Sequence, residues 1–310
     1  MILGIYGVSK RMDTHKRVFQ ALLQEGKIHD IVVYNRTKHK ADQLAKDVGG
    51  RSVGYNELIS CSDYVLVSLP PKVAYTKTLE IVSQGVNVIL ETPGIFHKNQ
   101  IKRIETLGKN HANVFLLEEF PFMPVYQLMK KIVGNKKIFY ILNENKLFTY
   151  HGLAVASNFI KSDLEFKKKL RVTKDDSSYD STVYTTGDSM YIDNFIIPKN
   201  SLLRQHSSLK LILHDMVVTE NGVCTNNAFY PFKKYDGSIQ CELDGEVHTV
   251  SLKEMSDRQN AIYYCLSNIL LGNKTNWSKV GLYMTEWKKS LFYNYFWKLA
   301  PLVEFIWRYK

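Results

Sequence analysis

Residues Ile2–Thr37 read ILGIYGVSKRMDTHKRVFQALLQEGKIHDIVVYNRT. An apolar run, Ile2–Val8, stops at a short polar loop. A segment of helical period follows, with Val18, Leu22 and Leu23 on one side. A second apolar run, Ile31–Tyr34, ends in Asn35-Arg36-Thr37. Apolar run, turn, amphipathic helix, apolar run is the pattern of a βαβ unit with buried parallel strands. At an N-terminus it is how a doubly wound nucleotide-binding sheet begins.

Working outward, the same alternation repeats. A helical segment at Lys38–Val48 leads to Asp63-Tyr64-Val65-Leu66-Val67-Ser68-Leu69-Pro70-Pro71, a buried strand that ends at a proline turn. A helix over Ala74–Ser83 and a strand over Val86–Leu90 follow, ending in Glu91-Thr92-Pro93-Gly94. Then come a helix over Lys98–Lys109 and a strand over Val114–Leu117. Five or six strand–helix repeats predict a doubly wound domain over residues 1–120. Ligands of such sheets lie beyond the carboxyl ends of the strands. Gly7, Asn35, Leu69-Pro70, Glu91 and Glu118-Glu119 are thereby expected around one crevice.

The first loop carries one glycine of the dinucleotide fingerprint G-x-G-x-x-G. Gly7 is present, while Ser9 and Met12 hold the other two glycine positions. Ser9 is small and can donate a hydrogen bond; Met12 implies a wider turn. Lys10 and Arg11 can supply charge to phosphate in place of glycine amides. At the end of the second strand, NAD sites usually carry an acid for the ribose hydroxyls. Here the position holds Asn35-Arg36-Thr37, with Lys38 and Lys40 beyond. A planar guanidinium matches a 2′-phosphate, so the expected cofactor is NADP rather than NAD. The bland alternative is a solvated basic helix start.

The order of these motifs resembles the glucose-fructose oxidoreductase (Gfo/Idh/MocA) family over roughly residues 1–155. The carriers are Pro70-Pro71 with Tyr75, the lead Gly85-Val86-Asn87-Val88 into Glu91-Thr92-Pro93, the crossover Glu118–Pro124 and the stretch Tyr150-His151-Gly152. The resemblance implies a Rossmann domain, NADP as cofactor and hydride transfer to or from a small-molecule substrate. It also implies a homodimer or homotetramer. Thr92 stands where many family members have a lysine that moves a proton. A threonine can hydrogen-bond but supplies no cation. Reduction of C=O or C=N, by a sugar- or imine-type reductase, is therefore the expected chemistry. The alternative is a non-catalytic scaffold that binds a nucleotide or a partner.

From Lys136 the pattern changes to short apolar runs separated by turns, among them Glu220-Asn221-Gly222 and Asp244-Gly245. This predicts a second, α+β domain over residues 121–310, with a mainly antiparallel, open-faced sheet bracketed by helices at Tyr150–Phe159 and Glu254–Leu271. Lys174–Ser181 reads as a polar surface loop. The segment 279–310 is rich in Trp, Tyr, Phe and Lys and is broken by Pro301. It reads either as a membrane-surface helix or as a helix packed on a sheet or partner.

Hydride chemistry also needs a proton source. The candidates are Tyr75, His97, Glu119, Tyr126 and His151. His151 leads, because imidazole titrates near neutral pH, with Glu119 and Tyr75 beside it. Glu119 faces the nicotinamide or caps the following helix. Glu91 reads as a residue that binds the cofactor or anchors its loop.

Composition sets outer bounds. The 310 residues suffice for two domains. The formal charge of +11 favours anionic partners or simply marks a basic soluble surface. No zinc-finger spacing, basic zipper or aromatic RNA-binding signature points to nucleic acid. Cys61, Cys224, Cys241 and Cys265 are scattered, with no metal-ligand spacing. The N-terminus enters an apolar run directly, with no basic-then-apolar leader. No run approaches the ~18–20 apolar residues of a membrane span. The expected location is the cytoplasm.

Overall fold

A computed structural model describes residues 1–92, 98–144, 149–160, 164–174, 177–195, 208–226 and 228–273. The described chain forms two compact units. The first is Met1–Pro124 together with Asp236–Ser238 and the segment from Ser251 through the last described helix. The second is Val125–Tyr235 and Ile239–Val250.

The first unit runs β1 (Ile2–Tyr6), α1 (Met12–Gln24), β2 (Asp30–Tyr34), α2 (Lys38–Val48), β3 (Arg51–Ser52), α3 (Tyr55–Cys61), β4 (Tyr64–Val67), α4 (Pro71–Ser83), β5 (Asn87–Glu91), α5 (Lys98–Asn110) and β6 (Val114–Leu117). A short 3₁₀ turn at Phe120–Phe122 follows. The six strands form one parallel sheet in the order β3-β2-β1-β4-β5-β6, with Tyr6 opposite Tyr34 and Val67 opposite Leu90. The strand order reverses between β1 and β4, where a doubly wound sheet opens its ligand crevice. This is the expected Rossmann architecture.

Both faces of the sheet are covered, which is why its central strands carry near-continuous apolar runs rather than alternating ones. Leu3, Ile5, Ile31, Val33, Leu66, Ile89 and Phe115 form one core with Val18, Phe19 and Leu22 of α1 and Leu44 of α2. Val32, Val65, Val67, Val88 and Leu90 are buried as well. Each such side chain contributes about 1.5–3 kcal/mol when fully buried.

In the second unit, α6 (Pro124–Val133), β7 (Tyr140–Glu144) and α7 (Thr149–Phe159) precede a long meander. It comprises β8 (Glu165–Lys174), β9 (Ser177–Thr186), β10 (Ser189–Phe195), β11 (Ser208–Ile212), β12 (Met216–Thr219), β13 (Gly222–Thr225) and β14 (Phe229–Pro231). These form an eight-stranded sheet, β14-β13-β12-β11-β7-β10-β9-β8, with β7 and β10 its parallel pair. β15 (Lys233–Tyr235), β16 (Ser238–Leu243) and β17 (Glu246–Ser251) form a separate three-stranded sheet. The mainly antiparallel α+β domain is thus as expected.

Two expectations change. Lys174 and Ser177–Ser181 are strand rather than loop, because Arg171 pairs with Asp180 and Lys174 with Ser177 in the antiparallel β8–β9 ladder. Polar β-branched and aromatic residues such as Thr173, Tyr179 and Thr182 suit strands as well as apolar ones do. The last helix, α8 (Asp257–Leu270), belongs to the first unit rather than the second. It buries Ile262, Tyr263, Cys265, Leu266 and Ile269 in the core that contains α1. His97 and the aromatic segment 279–310 lie outside the described residues. Among the described residues, no helix is long and apolar enough to cross a membrane.

Candidate functional site

The crevice of the first unit is built around the β1–α1 loop. Gly7 sits at φ +95°, and a Cβ there would stand 2.5 Å from the Ser68 carbonyl oxygen and 2.7 Å from Leu69 Cδ2. Only glycine combines that backbone with so close an approach. The loop is tied on both flanks. The Gly7 amide donates to the Tyr34 carbonyl (2.9 Å), and the Val8 amide donates to Asn35 Oδ1 (3.1 Å). The Ser9 and Ser68 hydroxyls are 2.9 Å apart. Gly7, Ser9, Asn35 and Leu69 are therefore brought together, with Pro70 capping α4 beside them.

Past Ser9 the chain turns into α1. Met12 donates to the Ser9 carbonyl and Asp13 to that of Lys10. The amides of Ser9, Lys10 and Arg11 have no acceptor among the described residues. They lie at the N-terminus of α1, where free N–H groups and the helix dipole favour an anion. Lys10 is exposed beside them. Met12 is fully buried in the sheet core.

At the end of β2, Arg36 is exposed and makes no ion pair or hydrogen bond among the described residues. Thr37 caps α2 with extended backbone. Asn35 Nδ2 donates to the Thr37 carbonyl (3.1 Å). An aromatic cluster closes this side: the Tyr6, Tyr34 and Tyr55 rings lie 5.2–5.5 Å from one another. Tyr55 donates to Glu80 Oε1 (2.6 Å), and burial together with that carboxylate pushes its hydroxyl pKa well up.

Arg11 turns away from the loop. Its guanidinium spans the ends of β5 and β6. Nη2 donates to both Glu119 oxygens (2.8 and 2.9 Å) and Nη1 to the Thr92 carbonyl (3.0 Å), while Nε lies 3.0 Å from Glu91 Oε2. Arg258, from the first turn of α8, binds the same Glu119 Oε1 at 3.0 Å. His15, fully buried one turn into α1, places Nε2 2.8 Å from Glu91 Oε1 and Nδ1 3.0 Å from the Arg11 carbonyl. Glu119 is 1% exposed and Glu91 8%. Carboxylates so deep stay charged only when paired, and here two guanidiniums and a histidine surround them. The Thr92 hydroxyl is buried with no hydrogen-bond partner among the described residues. The Cys265 thiol, 3.5 Å from the Glu118 carbonyl, is pushed well up by burial and by the neighbouring glutamates.

Sequence reading missed His15 and Arg258. A polar side chain at a core-facing position of α1, beside Met12 and Phe19, marks the first. The capping box Ser256–Gln259 that starts α8 marks the second. Of the proton candidates, Tyr75 is half-buried on α4. His151 and Tyr126 lie in the second unit. Tyr126, on α6, sits 3.4 Å from Glu220 Oε1, and burial with that charge drives its hydroxyl pKa far up. His151 is half-buried on α7, next to Gly152. Among the described residues, no group of three His, Cys, Asp or Glu has metal-holding geometry, and the four cysteines are free.

No family model matches this chain, and no curated protein does at the sequence level. Solved structures do match. The dehydrogenase MviM of Clostridium difficile superposes with TM-score 0.66 at 12% identity, over 93% of this chain and 98% of that one. UDP-N-acetylglucosamine 3-dehydrogenase GnnA of Acidithiobacillus ferrooxidans gives 0.64 at 11%, over 93% and 96%. KijD10, a 3-ketoreductase of Actinomadura kijaniata solved with TDP-benzene and NADP, gives 0.60 at 15%, over 92% and 94%. The chain shares the fold of these dehydrogenases and of the ketoreductase. In this chain, Thr92 and the Arg11–Glu91–Glu119 cluster sit at the ends of β5 and β6.

Proposed function

We propose that the chain is an NADP-dependent oxidoreductase that reduces a C=O or C=N bond in a small metabolite. The observation that carries this is Arg36. It is an exposed guanidinium with no partner among the described residues, at the strand end where a 2′-phosphate would lie. The residues present fit the dinucleotide: the left-handed Gly7, the open amides of Ser9, Lys10 and Arg11, and the Lys10 charge suit a diphosphate. Thr37 stands beside Arg36, while Leu69 and Pro70 wall the loop. The fold it shares with a ketoreductase solved with NADP supports the same reading.

When bound, NADPH supplies the hydride; the protein binds, orients and moves the proton. We assign the proton to His151, with Tyr75 as the second candidate. Glu119 reads as the anchor of Arg11 and Arg258 rather than an acid, since both its oxygens accept from guanidinium. Arg11 accordingly serves the loop through its amide rather than its side-chain charge. By the same resemblance the chain is read as a cytoplasmic homo-oligomer.

A second reading follows from Thr92. Its buried hydroxyl, without a hydrogen-bond partner among the described residues, supplies no cation where the resembled family carries lysine, and a scaffold that binds nucleotide without turnover would tolerate it. Titration of the full chain with NADPH and NADP, followed by nicotinamide fluorescence and thermal shift, tests the binding. Saturable binding of NADPH is expected; no response to either nucleotide overturns the oxidoreductase. NADPH oxidation across sugar, cyclic-imine and tetrapyrrole substrates then separates enzyme from scaffold.

A further inference from the structure

The first turns of α1 and α8 meet beyond the carboxyl ends of β5 and β6, within the first unit. Arg258 Nη2 donates to Glu119 Oε1 (3.0 Å), and Arg11 Nη2 donates to the same oxygen (2.8 Å) and to Oε2 (2.9 Å). Gln259 Nε2 adds a second tie, to the Thr14 carbonyl (3.2 Å). In formal charge the guanidiniums of Arg11 and Arg258 match the carboxylates of Glu91 and Glu119. The cluster is therefore a neutral brace, whose members satisfy one another.

The brace ends on the β1–α1 loop. The Arg11 carbonyl accepts from the Thr14 amide (3.1 Å), and those of Ser9 and Lys10 accept from Met12 (3.0 Å) and Asp13 (3.3 Å). These bonds shape the turn that leaves the Ser9, Lys10 and Arg11 amides open. The other flank of the loop is tied to β2 and its end, through the Gly7 and Val8 amides. On the α1 flank the Arg11 guanidinium makes the tie. Arg258 adds little burial of its own, being half exposed. Ile262, Leu266 and Ile269 already hold α8 in the core. The apolar contacts thus secure the helix, while the ion pairs set where its first turn and the loop stand. Without Arg258, the Arg11 guanidinium alone would face both buried carboxylates.

We propose that Arg258 is a positioning residue: acting through Glu119 and Arg11, it fixes the loop whose open amides receive the diphosphate of the dinucleotide. The role in binding rests on the NADP reading; the hold on the loop stands without it.

Amide hydrogen exchange of the full chain, free of nucleotide and resolved to single residues, reads the hold directly. In Arg258→Ala the Met12, Asp13 and Thr14 amides should exchange at least about threefold faster, while Gly7, Val8 and Leu22 keep their rates. Arg258→Lys should restore part of the protection. Ile269→Val, further along the same helix, loosens the core without touching the brace and should leave the Met12, Asp13 and Thr14 rates and the Kd for NADPH as in the parent. Fluorescence titration with NADPH then reads the consequence. Arg258→Ala should raise its Kd roughly three- to tenfold, and Glu119→Gln combined with Arg258→Ala should bind no more weakly than Glu119→Gln alone, since both act along one path. Unchanged exchange at Met12, Asp13 and Thr14 in Arg258→Ala overturns the proposal. So does an Ile269→Val variant that loses as much NADPH affinity as Arg258→Ala, which would make the effect one of general stability. If the parent chain binds no NADPH, the NADP reading and the binding role fall together, whereas the exchange rates still decide the hold on the loop.

Discussion

The Tyr191 hydroxyl reaches so close to Gly152 that a Cβ on residue 152 would stand 2.3 Å from it and 2.8 Å from Asn143 Nδ2. Both neighbours are buried, and both bind Asp193 Oδ1, Tyr191 at 3.1 Å and Asn143 at 2.7 Å. Gly152→Ala must therefore push α7 off the sheet or break that cluster. Overpacking costs about 1–3 kcal/mol, and the helix propensity of alanine returns up to about 1. Net destabilisation is expected by urea unfolding; a more stable variant would show that the contact yields freely.

Gly7→Ala places a side chain on a left-handed backbone and against a carbonyl oxygen. The backbone term alone is about 1–2 kcal/mol. A lower Tm with loss of NADPH binding is expected. Retention of wild-type affinity would exclude the loop as the phosphate cradle.

Arg36→Ala should weaken NADPH far more than NADH. A charge-assisted hydrogen bond is worth about 1.5–3 kcal/mol, or roughly 10–100-fold in Kd. Parallel loss for both nucleotides would remove the 2′-phosphate from this residue.

His151→Ala should abolish turnover and leave the Kd for NADPH within about twofold, since a proton donor acts on the reaction and not on cofactor affinity. Unchanged turnover would clear the residue and direct attention to Tyr75.

Glu80 offers a pH test. Hydrogen bonds from Lys77 (2.6 Å) and Tyr55 hold its carboxyl below the ordinary 4.5. A depressed carboxyl stabilises the fold at pH above its unfolded value, and that contribution is lost as pH falls through the folded one. Because Glu80 is more than one-third exposed, the effect is modest. Thermal melts from pH 7 to pH 3 should fall less steeply in Glu80→Gln than in the parent chain. Superimposable slopes would remove the linkage.

What the sequence made legible follows from how local each signal is. The β1–α1–β2 unit carries its own periodicity, so Ile2–Tyr6 and Asp30–Tyr34 were readable as strands. Gly7 and Asn35 were readable as loop residues because both positions are defined by strand ends. The lysine-rich β8 was not readable, since Glu165–Lys174 lacks period-2 apolarity and takes its order from β9. The partners of Arg11 lie 80 residues away at Glu91 and 108 at Glu119, a separation that no local pattern encodes. Arg11 thus read as a phosphate ligand by position, and only the fold shows its guanidinium shared between two carboxylates.

The capping of α8 onto α1 also bears on how the protein is made. The last strand of the parallel sheet ends at Leu117, yet Ile262, Leu266 and Ile269 of α8 complete its core. A nascent chain stalled before that helix holds an uncovered apolar face, the kind of surface that chaperones take up. The parallel sheet therefore closes only once α8, far downstream of β6, has been made.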